Sequence, residues 1–225
     1  MKHINLTLYS FDELSEESSK KVVENERWNV MEDVMDGYSS DYRKSLNEFE
    51  SLFHIRCNWE INYCGYSFSF KLTSFEAFEW QGGYIELATI SGKLLQRFLR
   101  NYILPHLEKP ACYFSKMKGV YPNFRYNKRF SKIKKIVECP FTGHIYDILL
   151  LDPLLKYLAS PNDGINYAEL MDKCLRSFFM SWHEEYEYWA DDDEAVKEEL
   201  RSNQYENRLY YSNGDVYTGP LELSA

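Results

Sequence analysis

Residues Phe53-His54-Ile55-Arg56-Cys57-Asn58-Trp59-Glu60-Ile61-Asn62-Tyr63-Cys64-Gly65-Tyr66-Ser67-Phe68-Ser69-Phe70-Lys71-Leu72-Thr73 alternate between apolar and polar with hardly a break. Phe53, Ile55, Cys57, Trp59, Ile61 and Tyr63 share one face, and His54, Arg56, Asn58, Glu60 and Asn62 share the other. After Cys64-Gly65 the pattern resumes, with Tyr66, Phe68, Phe70 and Leu72 set against Ser67, Ser69, Lys71 and Thr73. A period of two is the period of a strand, so the stretch predicts an antiparallel hairpin with one buried and one wet face. A further strand at 84–90, after Gly82-Gly83, extends it to a meander over 53–90.

On both sides the spacing changes to that of helices. Before the hairpin, Val22, Val23, Trp28, Val30, Met31, Val34 and Met35 recur at helical intervals behind an N-cap at Ser15, with a break expected near Asn29. A second helix over 39–52 uses Tyr42, Leu46 and Phe49. After the hairpin, Ser91 caps a helix whose stripe is Leu94, Leu95, Phe98, Leu99, Tyr102 and Ile103, and Pro105 is expected to end it. Residues 110–130 read as an irregular connection. Residues 131–151 read as a strand pair, because Asp152-Pro153 has the form of an N-cap and first helical residue.

Asn166 and Glu169 form a cap pair opening a long helix with Met171, Cys174, Leu175, Phe178, Phe179, Trp182, Tyr186 and Trp189 inward. Asp191–Asp193 end or restart it, Val196 and Leu200 mark a short helix, and Asn213-Gly214 predicts a type I′ turn. At the other end, Ile4, Leu6 and Leu8 suggest an N-terminal strand over 2–9. The expected class is α+β: an antiparallel sheet, made of the 53–90 hairpin or meander plus the N-terminal strand, packed against several helices. One domain spans 1–225, with 184–225 a helix-plus-hairpin C-terminal element.

Composition supports a packed core, since 44% of residues are hydrophobic and 17% aromatic. No apolar run approaches the roughly twenty residues that span a bilayer, and the N-terminus alternates instead of building an apolar leader. Five cysteines with no close pair fit a reducing compartment better than a disulfide framework. A cytoplasmic location is therefore expected. The net charge of −9 is unevenly spread. Residues 116–135 hold Lys116, Lys118, Arg125, Lys128, Arg129, Lys132, Lys134 and Lys135 and no acid, whereas 184–206 hold ten acids against Lys197 and Arg201.

The chain carries few chemical signatures. His54, Cys57 and Cys64, completed by Cys112 or His144, have the residue types of a metal site. An odd separation puts His54 and Cys57 on opposite faces of a strand, however, and Cys57 lies among core positions. No metal and no cofactor is expected. Cys139 and His144, in Cys-Pro-Phe-Thr-Gly-His, have the composition of a nucleophile and base, but such a lone pair is common by chance and is better read as incidental members of a hairpin turn. Gly82-Gly83 lacks the strand–glycine–helix context of a nucleotide loop.

Two segments resemble a loose family of uncharacterised phage and prophage proteins. The first is Tyr9-Ser10-Phe11-Asp12-Glu13-Leu14-Ser15-Glu16-Glu17. The second runs through Glu185–Tyr188, Asp193–Ala195, Asn203–Glu206 and Asn213–Asp215. Together they cover about sixty residues. Many members carry a Ser-Gly-Phe-x-Ser-Gln-Gly-Asp-Gly loop between central strands, of which this chain keeps Gln81-Gly82-Gly83 alone. The resemblance implies a phage or prophage setting and no catalytic residue, and some members are labelled antitoxins.

The function expected is non-enzymatic: binding and inhibition of a host protein, such as a nucleic-acid-handling defence enzyme or a toxin. The contact surface expected is Glu184, Glu185, Glu187, Tyr188, Asp191, Asp192 and Asp193, because acids with an aromatic anchor suit a basic cleft. The alternative is nucleic-acid binding through Lys128, Arg129, Lys132, Lys134 and Lys135, interleaved with aromatics that stack on bases.

Overall fold

A computed structural model describes residues 6–73, 77–80, 83–115, 127–136, 138–162, 164–202, 205 and 207–219. Its helices are α1 (Glu16–Phe53), α2 (Gly92–Phe98), α3 (Leu104–Leu107), α4 (Tyr146–Ala159), α5 (Tyr167–Asp191) and α6 (Asp193–Leu200). Its strands are β1 (Ile55–Asn62), β2 (Gly65–Leu72), β3 (Ala77–Trp80), β4 (Gly83–Glu86), β5 (Glu108–Ser115) and β6 (Asn127–Ile136). The class is α+β, as the alternating and helical periods require. Among the described residues, no helix is long and apolar enough to cross a membrane.

The chain divides into two compact units. The first comprises Met1–Ser39, Asn62–Cys64 and His183–Ala225, and the second Ser40–Ile61 and Gly65–Trp182. The division falls inside α1 and inside α5.

In the second unit β1 and β2 form the hairpin read from the sequence, and the Thr73 N–H donates to the His54 carbonyl at 2.8 Å to close its open end. Burial alternates along both strands as the period predicts. The apolar face lies on α5: the Phe179 ring stacks on Phe68 at 5.2 Å, and Trp59 meets Trp182 at 5.0 Å. Tyr42 from α1 lies flat on Trp182 at 4.7 Å. Phe49, Phe53, Leu95, Phe98, Leu150, Leu154, Leu170, Leu175 and Phe178 fill the rest of this core. The Tyr167 hydroxyl, buried, donates to the Phe53 carbonyl at the last residue of α1.

In the first unit, Val22, Val23, Val30, Met31 and Met35 of α1 are buried, as are Trp189, Val196, Leu200 and Tyr210. Long-range polar contacts tie the C-terminal segment to α1. Arg27 donates to the Ala190 carbonyl at 2.7 Å and pairs with Asp193; Arg208 pairs with Glu26, and the Tyr205 hydroxyl donates to Asp33. Gly214 shows why a glycine stands at the hairpin tip. Its φ is +84°, and a Cβ there would lie 2.7 Å from the Ser18 carbonyl oxygen.

Several expectations are corrected. α1 runs unbroken through Asn29, joining the two predicted helices. The 53–90 stretch is no continuous meander, because β4 pairs with β3 (Phe78 opposite Ile85) in a separate two-stranded ladder. Of the N-terminal strand, residues 2–5 lie outside the described residues, and Tyr9 contributes a single antiparallel bridge to Tyr210. Pro105 does not end the helix outright. Lacking an N–H and crowding the preceding turn, it follows a π-helical turn, Leu99–Ile103, in which the Leu104 N–H reaches back to the Leu99 carbonyl.

The region read as irregular over 110–130 holds β5 and the start of β6, whose pairing sets Tyr113 opposite Arg129 and Phe114 opposite Lys128. Residues 146–151 are helical, and Pro153 sits inside α4. The 211–215 turn is not type I′, since Asn213 keeps a negative φ. The Gly214 N–H donates to the Tyr211 carbonyl and the Tyr211 N–H to the Asp215 carbonyl, which is the pattern of a type I turn with a left-handed glycine bulge.

Candidate functional site

The acids singled out in the sequence lie in the first unit, where α5 ends and α6 begins. Glu184, Glu187, Tyr188 and Asp191 are spaced three, four and seven apart, which places them on one helix face. Asp192 breaks the helix with extended backbone and caps α6, its carboxylate accepting from the N–H groups of Glu194 and Ala195 at 2.9 and 3.1 Å. The result is an open hollow of about 620 Å³ lined by Glu184, Glu187, Tyr188, Asp191, Asp192, Asp193 and Glu194.

The carboxylates are not equivalent. Asp193 is engaged with Arg27, Glu187 lies 3.7 Å from His183 Nδ1, and Glu194 pairs with Lys197. Glu184 and Asp191 are exposed and have no hydrogen-bonded side chain among the described residues. Tyr188 is 51% exposed, with its ring edge-on to Trp189. Glu185, also predicted for this surface, does not line the hollow. It is half-buried, and burial, with the neighbouring Glu184 charge, holds its carboxyl above the usual range. The hollow accepts hydrogen bonds and has the exposed Tyr188 in its lining, which suits lysine or arginine side chains.

The five basic residues of the alternative interface all fall on β6, so the strand gathers them within ten residues. Lys116, Lys118 and Arg125 lie outside the described residues. Of the metal-site candidates, Cys57 is buried and its thiol is pushed far up by burial, while Cys64 is exposed in the hairpin turn. His54 ends α1 in left-handed backbone. Among the described residues no three His, Cys, Asp or Glu side chains group as a metal site.

Cys139 and His144 lie in the loop before α4. Burial, then the charges of Asp147 and Glu138, push the Cys139 thiol up, opposite to what an activated nucleophile needs. His144 Nδ1 is 3.6 Å from the Asp41 carboxylate, and its ring lies parallel to Tyr146.

The residue that organises this loop, Asp147, was not singled out from the sequence. Fully buried, it accepts from Ser45 Oγ (2.7 Å), from the N–H groups of Phe141 and Thr142 (2.9 Å each), from Thr142 Oγ1 (3.0 Å) and from Gly143 N–H (3.4 Å). An Asp in the first turn of a helix, just after Thr-Gly, is the signal that marks it. The strand assignment for 131–151 concealed it.

No family model, no curated protein and no solved structure matches the chain.

Proposed function

We propose that this protein works by binding, with the acidic hollow at the α5–α6 junction receiving a basic surface of a protein partner. The observation that supports this reading is convergence: six of the seven side chains expected at the interface line one hollow, with half-exposed Tyr188 among them. Carboxylates there stay hydrated and exposed, so they cost little to hold and can steer a cationic partner before contact. A tyrosine amid them supplies apolar area at low entropic cost.

In the phage or prophage setting that the sequence resemblance implies, the partner is a host protein in the bacterial cytoplasm. A nucleic-acid-handling defence enzyme or a toxin fits, because such proteins expose a cation-lined cleft that an acidic surface can occupy. Occupation of that cleft would inhibit it without any chemistry.

Affinity capture from a bacterial lysate tests the reading. Lysine substitution at Glu184, Glu187 and Asp191 is expected to abolish recovery of a partner that the unaltered protein captures, while leaving its thermal unfolding intact. Asp192 and Asp193 are left alone because one caps α6 and the other pairs with Arg27. Undiminished capture by the triple variant would refute the acidic surface. The competing reading, nucleic-acid binding through β6, predicts a gel shift that weakens steeply with salt and disappears when Lys128, Arg129, Lys132, Lys134 and Lys135 are neutralised.

A further inference from the structure

Three departures from regular backbone, all in the second unit, line one cavity of about 530 Å³. The first is His54, the one non-glycine among the described residues with positive φ (52°). It occupies the position after a helix end where glycine is the default, so a side chain is kept there at some conformational cost. The second is the π-helical turn Leu99–Ile103, which carries Tyr102. Such turns are rare and concentrate at functional sites. The third is the loop 139–144, clamped by the buried Asp147 carboxylate, which fixes the backbone at Phe141.

The walls that result are flat and aromatic. Tyr102, 47% exposed, stacks on the buried Phe98 at 5.3 Å, so Tyr102 carries the exposed aromatic surface of that wall. The Phe141 ring rests edge-on against Phe49 at 6.4 Å. Polar groups reach the cavity from Glu48, His54 and His106. Among the described lining residues there is no lysine or arginine, and Glu48 supplies the carboxylate. Burial lowers the proton affinity of His54 and so disfavours a positive charge there.

We propose that this cavity binds a small planar cation of the guanidinium or amidinium type, stacked on the aromatic walls with its N–H edge on Glu48. Planarity follows from the walls, since a flat cation gains from aromatic faces that a tetrahedral ammonium covers less well. Positive charge and paired N–H donors follow from the carboxylate, which accepts two parallel hydrogen bonds from such a group. Anions are disfavoured by the same residue.

The probe is benzamidinium, with benzamide as its neutral isostere, titrated into isotope-labelled full-length protein and followed by amide chemical shifts. Saturable shifts confined to 48–54, 98–106 and 139–144 are expected, with benzamide weaker. Glu48→Gln, at an exposed helix position, is expected to keep its thermal midpoint and weaken benzamidinium about tenfold, the loss for one charge-assisted contact. Absence of saturable shifts, equal binding of benzamide, or unchanged affinity in Glu48→Gln would each overturn the proposal. Agmatine and acetyl-arginine-amide then separate the sources. Preference for agmatine identifies a free metabolite, and preference for the amide identifies an arginine side chain of a polypeptide.

Discussion

Asp147 and the acids of 184–194 are the same chemistry in opposite circumstances. Asp147 sits alone in its stretch of sequence, fully buried, with five donors converging on two oxygens. The acids of 184–194 are conspicuous in the sequence, yet most are exposed, and each has at most one or two partners. The difference teaches that charge density marks a surface, whereas the count of donors around a carboxylate decides what it does for the fold. A buried carboxylate is tolerable when hydrogen bonds replace its hydration. An exposed one contributes little to stability and remains available to a partner.

The strongest way to break that contrast is Asp147→Ala. Removing the acceptor leaves the N–H groups of Phe141 and Thr142 unsatisfied, so unfolding free energy should fall by about 3 kcal/mol. Chemical denaturation followed by tryptophan fluorescence measures it. A loss below that of a surface acid would show that the five contacts do not define the loop. Glu26 sharpens the comparison from the first unit, because it is an acid buried to 7% exposure and paired with Arg208. Arg208→Ala leaves that carboxylate with the Asn29 amide but without its counter-charge, and should cost about 2 kcal/mol, lower than for a fully sealed pair since Arg208 is partly exposed. Adding Glu26→Gln to Arg208→Ala should recover part of the loss, and a strictly additive double variant would contradict the pairing.

Asp192 is intermediate: half-exposed, with two backbone donors. Asp192→Ala should destabilise by about 1 kcal/mol, the ordinary cost of losing an N-cap. Helical signal lost on the first step of a thermal melt would register the fraying of α6. Asp192→Asn, which keeps the acceptor, should behave nearly as the unaltered protein.

How far the sequence reveals such differences depends on how local their causes are. The β1–β2 hairpin was legible because its period of two runs through residues 53–73, and the Asn166–Glu169 cap because both partners lie within one turn, where they bond at 2.9 and 3.0 Å. The acidic face was legible from helical spacing alone. The start of α4 was not. Ile148–Leu151 is a short apolar run that suits strand or helix equally, and the choice rests on Asp147 reaching back to Phe141–Gly143 and across to Ser45, 102 residues away in sequence. The continuity of α1 through Asn29 was hidden for a similar reason. Polar residues flank that point on the outer face, while Glu26, Arg27 and Asp33 find partners far along the chain. The cavity beside His54 was illegible because its walls come from residues 48–54, 98–106 and 140–141, which no local pattern connects.

The smallest effect has the opposite sign. Glu185 is half-buried beside Glu184, and burial first, then that charge, raises its carboxyl above the ordinary value near 4.5. In the pH range above 4.5 the folded state therefore holds this proton more tightly than the unfolded chain does. Its favourable contribution is complete below pH 4.5 and is lost as pH rises through the folded-state value. At pH 7 the ionised group is left in a site that disfavours it. Glu185→Gln should then raise the melting temperature at pH 7 and leave it nearly unchanged at pH 4, where the wild-type side chain is itself largely protonated when folded. Melts of both proteins across that interval provide the check. A variant less stable at pH 7 would mean that Glu185 has a hydrogen-bonded role in the fold, and would join it to Asp147 in place of the surface acids beside it.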